Sequence, residues 1–115
     1  MLKTTDMESN KPPEERRISF TDLGQVVMTQ GVTDRIEKDE PYGKWVNDCL
    51  LQRYCKCDWG DLSQADKDLS DEAIDRVGYE GKRVIARYNY PGGGDIYIIT
   101  KKDRSETKIL FPSEY

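Results

Sequence analysis

The chain of 115 residues contains no histidine. That absence removes Ser-His-Asp and Cys-His nucleophilic catalysis, together with every zinc site built on imidazole. No apolar run approaches the ~18 residues of a membrane-spanning helix, and the first residues lack the apolar core of a secretion signal. A cytoplasmic protein with no membrane partner is expected. Cysteine is scarce: Cys49, Cys55 and Cys57 are an odd number packed closely together, poor material for a secreted disulfide framework and suited to reduced thiols. Even with Asp48 or Asp58 nearby, a Cys-x-Cys pair whose third thiol comes earlier on a helix is not a structural zinc spacing, so no metal is expected. Pro91-Gly92-Gly93-Gly94 lacks the lysine and the helix that must follow a phosphate loop. No cofactor is expected either.

What the chain has in quantity is charge. Charged residues make up 35% and hydrophobic residues 36%, which implies one modest core under a highly charged surface. The net charge of −4 is unevenly placed: −1 over residues 1–33, −6 over 34–75 and +3 over 76–115. The acidic pole culminates in Asp58, Asp61, Asp66, Asp68, Asp71, Glu72 and Asp75, interrupted only by Lys67. Such a run is too charged to bury and must be solvated or offered to a positive partner. Net acidity argues against direct binding to nucleic-acid phosphates.

Taken in order, residues 1–17 have almost nothing apolar to bury and read as a mobile leader before a single domain over 18–115. Gln25 to Thr29 is β-branched and follows Gly24, as a first strand would. Val32 and Ile36 fit a short helix. From Pro41, the residues Tyr42, Trp45, Val46, Cys49, Leu50 and Arg53 follow the rhythm of a buried helical stripe. Ser63 and Ser70 each precede acids in the manner of N-caps, so part of the acidic pole has a local role at helix starts worth a few tenths of a kcal/mol per charge. Gly78 reads as a helix stop. After Lys82 the period becomes two, with Val84, Ala86, Tyr88 and Tyr90 on one face. Ile96 to Thr100 and Lys108 to Phe111 supply two further strands. The expected fold is α+β, an antiparallel sheet of three or four strands packed against two or three helices.

Two constellations compete with the acidic pole. Asp95, Glu106 and Lys108 imitate the Asp…Glu-x-Lys hairpin of Mg²⁺-dependent nucleases, in which two carboxylates hold the ion and a lysine positions water; ordinary turn and strand usage explains them equally. Tyr79, Tyr88, Tyr90, Tyr97 and Phe111, interleaved with Arg83 and Arg87, suit a stacking face for single-stranded nucleic acid, as in a small regulator, although strand aromatics more often pack a sheet.

The segments Gly24-Gln25-Val26-Val27-Met28-Thr29-Gln30-Gly31-Val32, Asp58-Trp59-Gly60-Asp61-Leu62 and Asp103-Arg104-Ser105, with the ending Leu110-Phe111-Pro112-Ser113-Glu114-Tyr115, resemble a family of small proteins of plasmids, phages and mobile islands, labelled plasmid-related proteins. The resemblance covers the chain from about residue 20 onward and implies a context rather than a chemistry. Small acidic proteins of mobile DNA often block host restriction nucleases or CRISPR effectors, whose channels are lined with Lys and Arg. The resemblance therefore implies a non-enzymatic anti-defence inhibitor of anti-CRISPR type in a bacterial host, with the seven acids Asp58 to Asp75 as its partner-binding surface.

Overall fold

A computed structural model describes residues 20–74 and 82–115; the expected leader and the helix stop at Gly78 lie outside the described residues. The chain forms β1 (Gln25–Met28), α1 (Gln30–Lys38), α2 (Glu40–Lys44), a π-helical stretch (Trp45–Leu50) and α3 (Leu51–Cys55). Then come α4 (Gln64–Ala73), β2 (Val84–Asn89), β3 (Asp95–Thr100), β4 (Glu106–Leu110) and a 3-10 turn, Pro112–Glu114. The class is α+β, with a four-stranded sheet in the order β1-β4-β3-β2.

The sheet is mixed, which corrects the antiparallel expectation. β2, β3 and β4 form an antiparallel meander, but β1 runs parallel to β4, with Val26 beside Thr107 and Met28 beside Ile109. Its two ends are tied to β4 by Gln25 N–H to Ser105 O at 3.0 Å and Thr29 N–H to Ile109 O at 3.1 Å. Gly24 allows this approach: its φ is +62°, and a Cβ there would lie 2.4 Å from Arg104 O, so only glycine fits. Side-chain alternation has no sign along the strand, and the direction of β1 is therefore set by these contacts rather than by its apolar pattern.

The period of two sorts the sheet into faces. Val84, Ala86 and Tyr88 of β2, Ile96, Ile98 and Thr100 of β3, and Thr107 and Ile109 of β4 are buried. Val32 of α1, Val46, Leu50, Tyr54 of the following helical run and Ala73 of α4 complete one cluster with these apolar residues. Ile85, Arg87, Tyr97, Ile99 and Lys108 point the other way and keep access to solvent.

Between Glu40 and Cys55 the buried side chains are Tyr42, Val46, Leu50 and Tyr54, each four from the last. In an α-helix a four-residue step drifts about 40° around the axis, so three steps would carry Tyr54 well off the face that Tyr42 occupies. The wider π-helical turn at Trp45–Leu50 absorbs that drift. This corrects the expected stripe at two places: Cys49 is exposed and Arg53 is only partly covered.

Tyr54 begins a buried chain of hydroxyls. Its O–H lies 2.7 Å from Thr100 Oγ1, which lies 2.7 Å from Thr107 Oγ1, which donates to Leu23 O at 2.7 Å. Each hydroxyl has one proton. Because Thr107 donates to Leu23, it accepts from Thr100, and Thr100 accepts from Tyr54; the longer contact from Tyr54 O–H to Val84 O, at 3.2 Å, is a side branch. The chain links α3, β3, β4 and the segment before β1. Arg104 is a second tie. Buried to 6% exposure with φ +62°, it donates to Lys82 O, Lys101 O and Ala73 O and so joins the β3–β4 turn to the C-terminal end of α4, where carbonyls favour a cation.

Burial pushes the Tyr54 and Tyr88 phenols well above their ordinary range. The unfolded chain ionises near pH 10 while the folded phenols stay protonated, so their stabilisation is complete below about pH 10 and falls away as pH rises beyond it. Tyr54→Phe removes the first donor of the chain and is expected to cost about 1–2 kcal/mol at neutral pH, read as a lower urea midpoint at unchanged slope. The alkaline loss of stability should also be shallower in Tyr54→Phe than in the parent; an equal alkaline slope would contradict the assigned role.

Candidate interaction surface

The segment joining α3 to α4 runs along the outer edge of β2. Trp59 O accepts from Arg87 N–H at 3.1 Å, Asp61 N–H donates to Arg87 O at 2.6 Å, and the Asp61 carboxylate accepts from Asn89 N–H at 2.9 Å. One turn further, the Ser70 hydroxyl donates to Ile85 O at 2.8 Å and accepts from Ile85 N–H at 3.3 Å. Gly60, with φ +77°, lets the backbones meet, since a Cβ would fall 2.0 Å from Arg87 O. Ser70 is therefore an edge-closing residue inside α4, which corrects its reading as an N-cap; Ser63 is the cap, accepting from Asp66 N–H at 3.2 Å.

This placement divides the acids. Asp58 accepts from Arg53 Nε at 2.7 Å and from Gly60 N–H at 3.0 Å. Burial disfavours the Arg53 cation, but the bond and field of Asp58 outweigh it and hold the guanidinium above its ordinary pKa. Asp61 holds the β2 edge. Asp71 accepts from the indole N–H of Trp59 at 2.8 Å, and that ring, 2% exposed, packs edge-on against Tyr54. Glu72 pairs with Lys82 at 3.3 Å, both well exposed. Asp68 accepts from Gln64 at 2.9 Å on the solvent side, and Asp66 is exposed in the first turn of α4. Asp75 lies outside the described residues. The seven thus do not form one uniform acidic face: Asp58, Asp61 and Asp71 are turned to internal use, Asp66 and Asp68 remain open, and Glu72 is exposed but ion-paired with Lys82.

Leu69, which sequence reasoning passed over, stands among them at 53% exposure. With Asp66, Ser70, Lys82, Arg83 and Ile85 it lines a groove of about 250 Å³ between α4 and β2. Its apolar character was visible in the sequence; that it faces outward was not.

The nuclease triad is not assembled. Asp95 starts β3, where Arg87 binds it through Nε at 2.9 Å. Glu106 starts β4 opposite Lys101, the residue just after the other end of β3. At about 3.4 Å per residue the two carboxylates stand some ~20 Å apart, far beyond the span of one ion. Among the described residues no three of Cys, Asp and Glu gather as a metal-holding group.

The stacking set also divides. Tyr88 is buried, Tyr90 packs on Tyr42 and Trp45, Phe111 packs against the core, and Tyr79 lies outside the described residues. Of the described members, Tyr97 alone stands on the face opposite the core, where Tyr115 joins it with ring centroids 5.6 Å apart. Glu114 fixes the segment that carries Tyr115. Its carboxylate accepts from Thr29 Oγ1 at 2.7 Å and from Phe111 N–H at 2.8 Å, and these bonds hold it below the usual carboxylate range.

Compared with family models, with curated proteins and with solved structures, the chain matches none. No helix among the described residues is long and apolar enough to cross a membrane.

The division of acids can be read by stability alone. Asp71→Ala leaves the buried Trp59 N–H without its acceptor and is expected to cost about 1–3 kcal/mol, whereas Asp68→Asn should stay within about 0.5 kcal/mol of the parent. Equal losses in thermal or urea unfolding would remove the distinction between structural and free acids.

Proposed function

We propose that this protein is a stoichiometric anti-defence inhibitor of anti-CRISPR type, acting in the bacterial cytoplasm by binding rather than by catalysis. The partner in this reading is a defence nuclease whose nucleic-acid channel is rich in Lys and Arg. The observation that carries it is the outer side of α4, where Asp66, Asp68 and Glu72 surround the exposed Leu69. Asp68 and Glu72 are four apart and share a face, rising about 6 Å along the helix. An exposed apolar anchor with carboxylates on its helix side, and Lys82 and Arg83 on the strand side of its groove, suits a protein interface, in which the anchor supplies affinity and the charges supply encounter rate and specificity. Because Ser70 and Asp61 fasten α4 and its approach to the sheet edge, the carboxylates are offered from a supported element, and little ordering cost is left for binding. The resemblance to mobile-element proteins points the same way.

The test is inhibition of purified restriction and CRISPR effectors in cleavage assays, with plaque counts of a targeted phage as the cellular counterpart. Inhibition saturating at one protein per effector is expected. Leu69→Ala, and separately the set Asp66→Asn, Asp68→Asn and Glu72→Gln, should weaken it by about tenfold or more, the charge set mainly through a slower, less salt-sensitive association. Full inhibition by both variants would reject this surface, and no inhibition of any effector class would reject the function.

A further inference from the structure

The helices cover one face of the sheet, and the opposite face has a composition that the net charge conceals. Register places Ile85, Ile99, Lys108 and Val27 in one row across it, and Arg87, Tyr97 and the buried Leu110 in the next. Arg83 and Lys101 flank the first row. Tyr115, 60% exposed, lies against Tyr97, with the Arg83 guanidinium 5.4 Å from its ring centre and bonded to its hydroxyl. Two shallow depressions of about 270 Å³ and about 590 Å³ share Ile99 and Lys101, so they form one track running from Leu110 and Tyr115 to Lys102. Lys101 is loosely held by Glu106 at 3.7 Å and Arg87 is bound to Asp95. Arg83, Lys102 and Lys108 have no carboxylate partner among the described residues.

We propose that this open sheet face is a binding site for single-stranded nucleic acid, with Tyr97 and Tyr115 as the stacking platform and Arg83, Lys102 and Lys108 as phosphate contacts. It adjoins the α4 groove, whose lining includes Arg83 and Ile85, but its platform of Tyr97 and Tyr115 and the cations Lys102 and Lys108 lie outside that groove, and it does not depend on the inhibitor reading. Charge complementarity selects the occupant. Aromatic rings beside cations that have no carboxylate partner among the described residues fit a chain that carries a flat base and a negative phosphate in each repeat. A duplex hides its base faces and could use the cations alone. The acids Glu106, Glu114 and Asp103 that line the track limit the attraction, so binding is weak and salt-sensitive. Net acidity argues against this binding for the chain as a whole, but Arg83, Lys101, Lys102 and Lys108 outnumber Asp103, Glu106 and Glu114 along the track.

Fluorescence anisotropy at low salt with labelled oligo-dT, the corresponding oligo-U and a DNA duplex of equal length tests the site. Both single strands should bind more tightly than the duplex. Three phosphate contacts predict a log–log salt slope of about −2. Tyr115→Ala should weaken single-strand binding about tenfold with an unchanged unfolding midpoint, and Lys108→Ala should lower the slope by about 0.7. Binding of the duplex as tightly as the single strands, equal binding by poly-glutamate, an unaffected Tyr115→Ala variant, or no anisotropy change at low salt would each overturn the proposal.

Discussion

The closure of the β2 edge is the interaction from which the rest of the arrangement follows. An edge strand presents a row of backbone groups that must be paired, hydrated or shielded, and an open row invites pairing with another chain. Here the outward groups of Ile85 and Arg87 and the N–H of Asn89 are all engaged, by Ser70, Trp59 and Asp61. The segment doing this is the most acidic in the chain. Its charges keep its outer side in water while its backbone and a few oxygens serve the sheet, so one stretch meets two demands that a hydrophobic strap could not.

That closure transmits to the core. Trp59 is held by Asp71 on one side and packs on Tyr54 on the other, and Tyr54 starts the hydroxyl chain through Thr100 and Thr107 to Leu23. A buried polar chain of this kind specifies one arrangement, because any slip leaves a donor without an acceptor at a cost comparable to a lost hydrogen bond. Arg104 works in the same way at the far end, fixing the β3–β4 turn to the last carbonyls of α4. Among the described residues the other face keeps Arg83, Tyr97, Lys102, Lys108 and Tyr115 accessible to solvent, and the molecule presents two exteriors of different character: exposed carboxylates around Leu69 on α4, and cations with paired tyrosines on the strands.

Much of the fold was legible. The period of two located β2 because a half-buried strand alternates by necessity, short apolar runs located β3 and the second half of β4, and Ser63 announced α4 because few residues satisfy the first N–H groups of a helix as well. The π-helical stretch was not legible, since residues spaced by four read as an ordinary α-helical stripe until the drift across three steps is measured. The candidate surfaces were half legible. Charge density pointed to residues 58–75, but whether Asp71 meets solvent or an indole depends on Trp59 folding back, a contact that composition does not encode. Tyr115 was overlooked because a terminal tyrosine beyond a proline carries no periodic signal.

By itself, the sequence determined which residues repel water and which seek it, the cap at Ser63 and the glycine turn before β3, and the exclusion of histidine chemistry. Those are properties of single residues and their near neighbours. The parallel course of β1, the separation of Asp95 from Glu106, the division of the acids into internal and free, and the pairing of Tyr97 with Tyr115 were decided only in the tertiary structure. Each depends on groups distant in the chain meeting in space, and local pattern carries no information about which distant partner will satisfy a given donor or cover a given face.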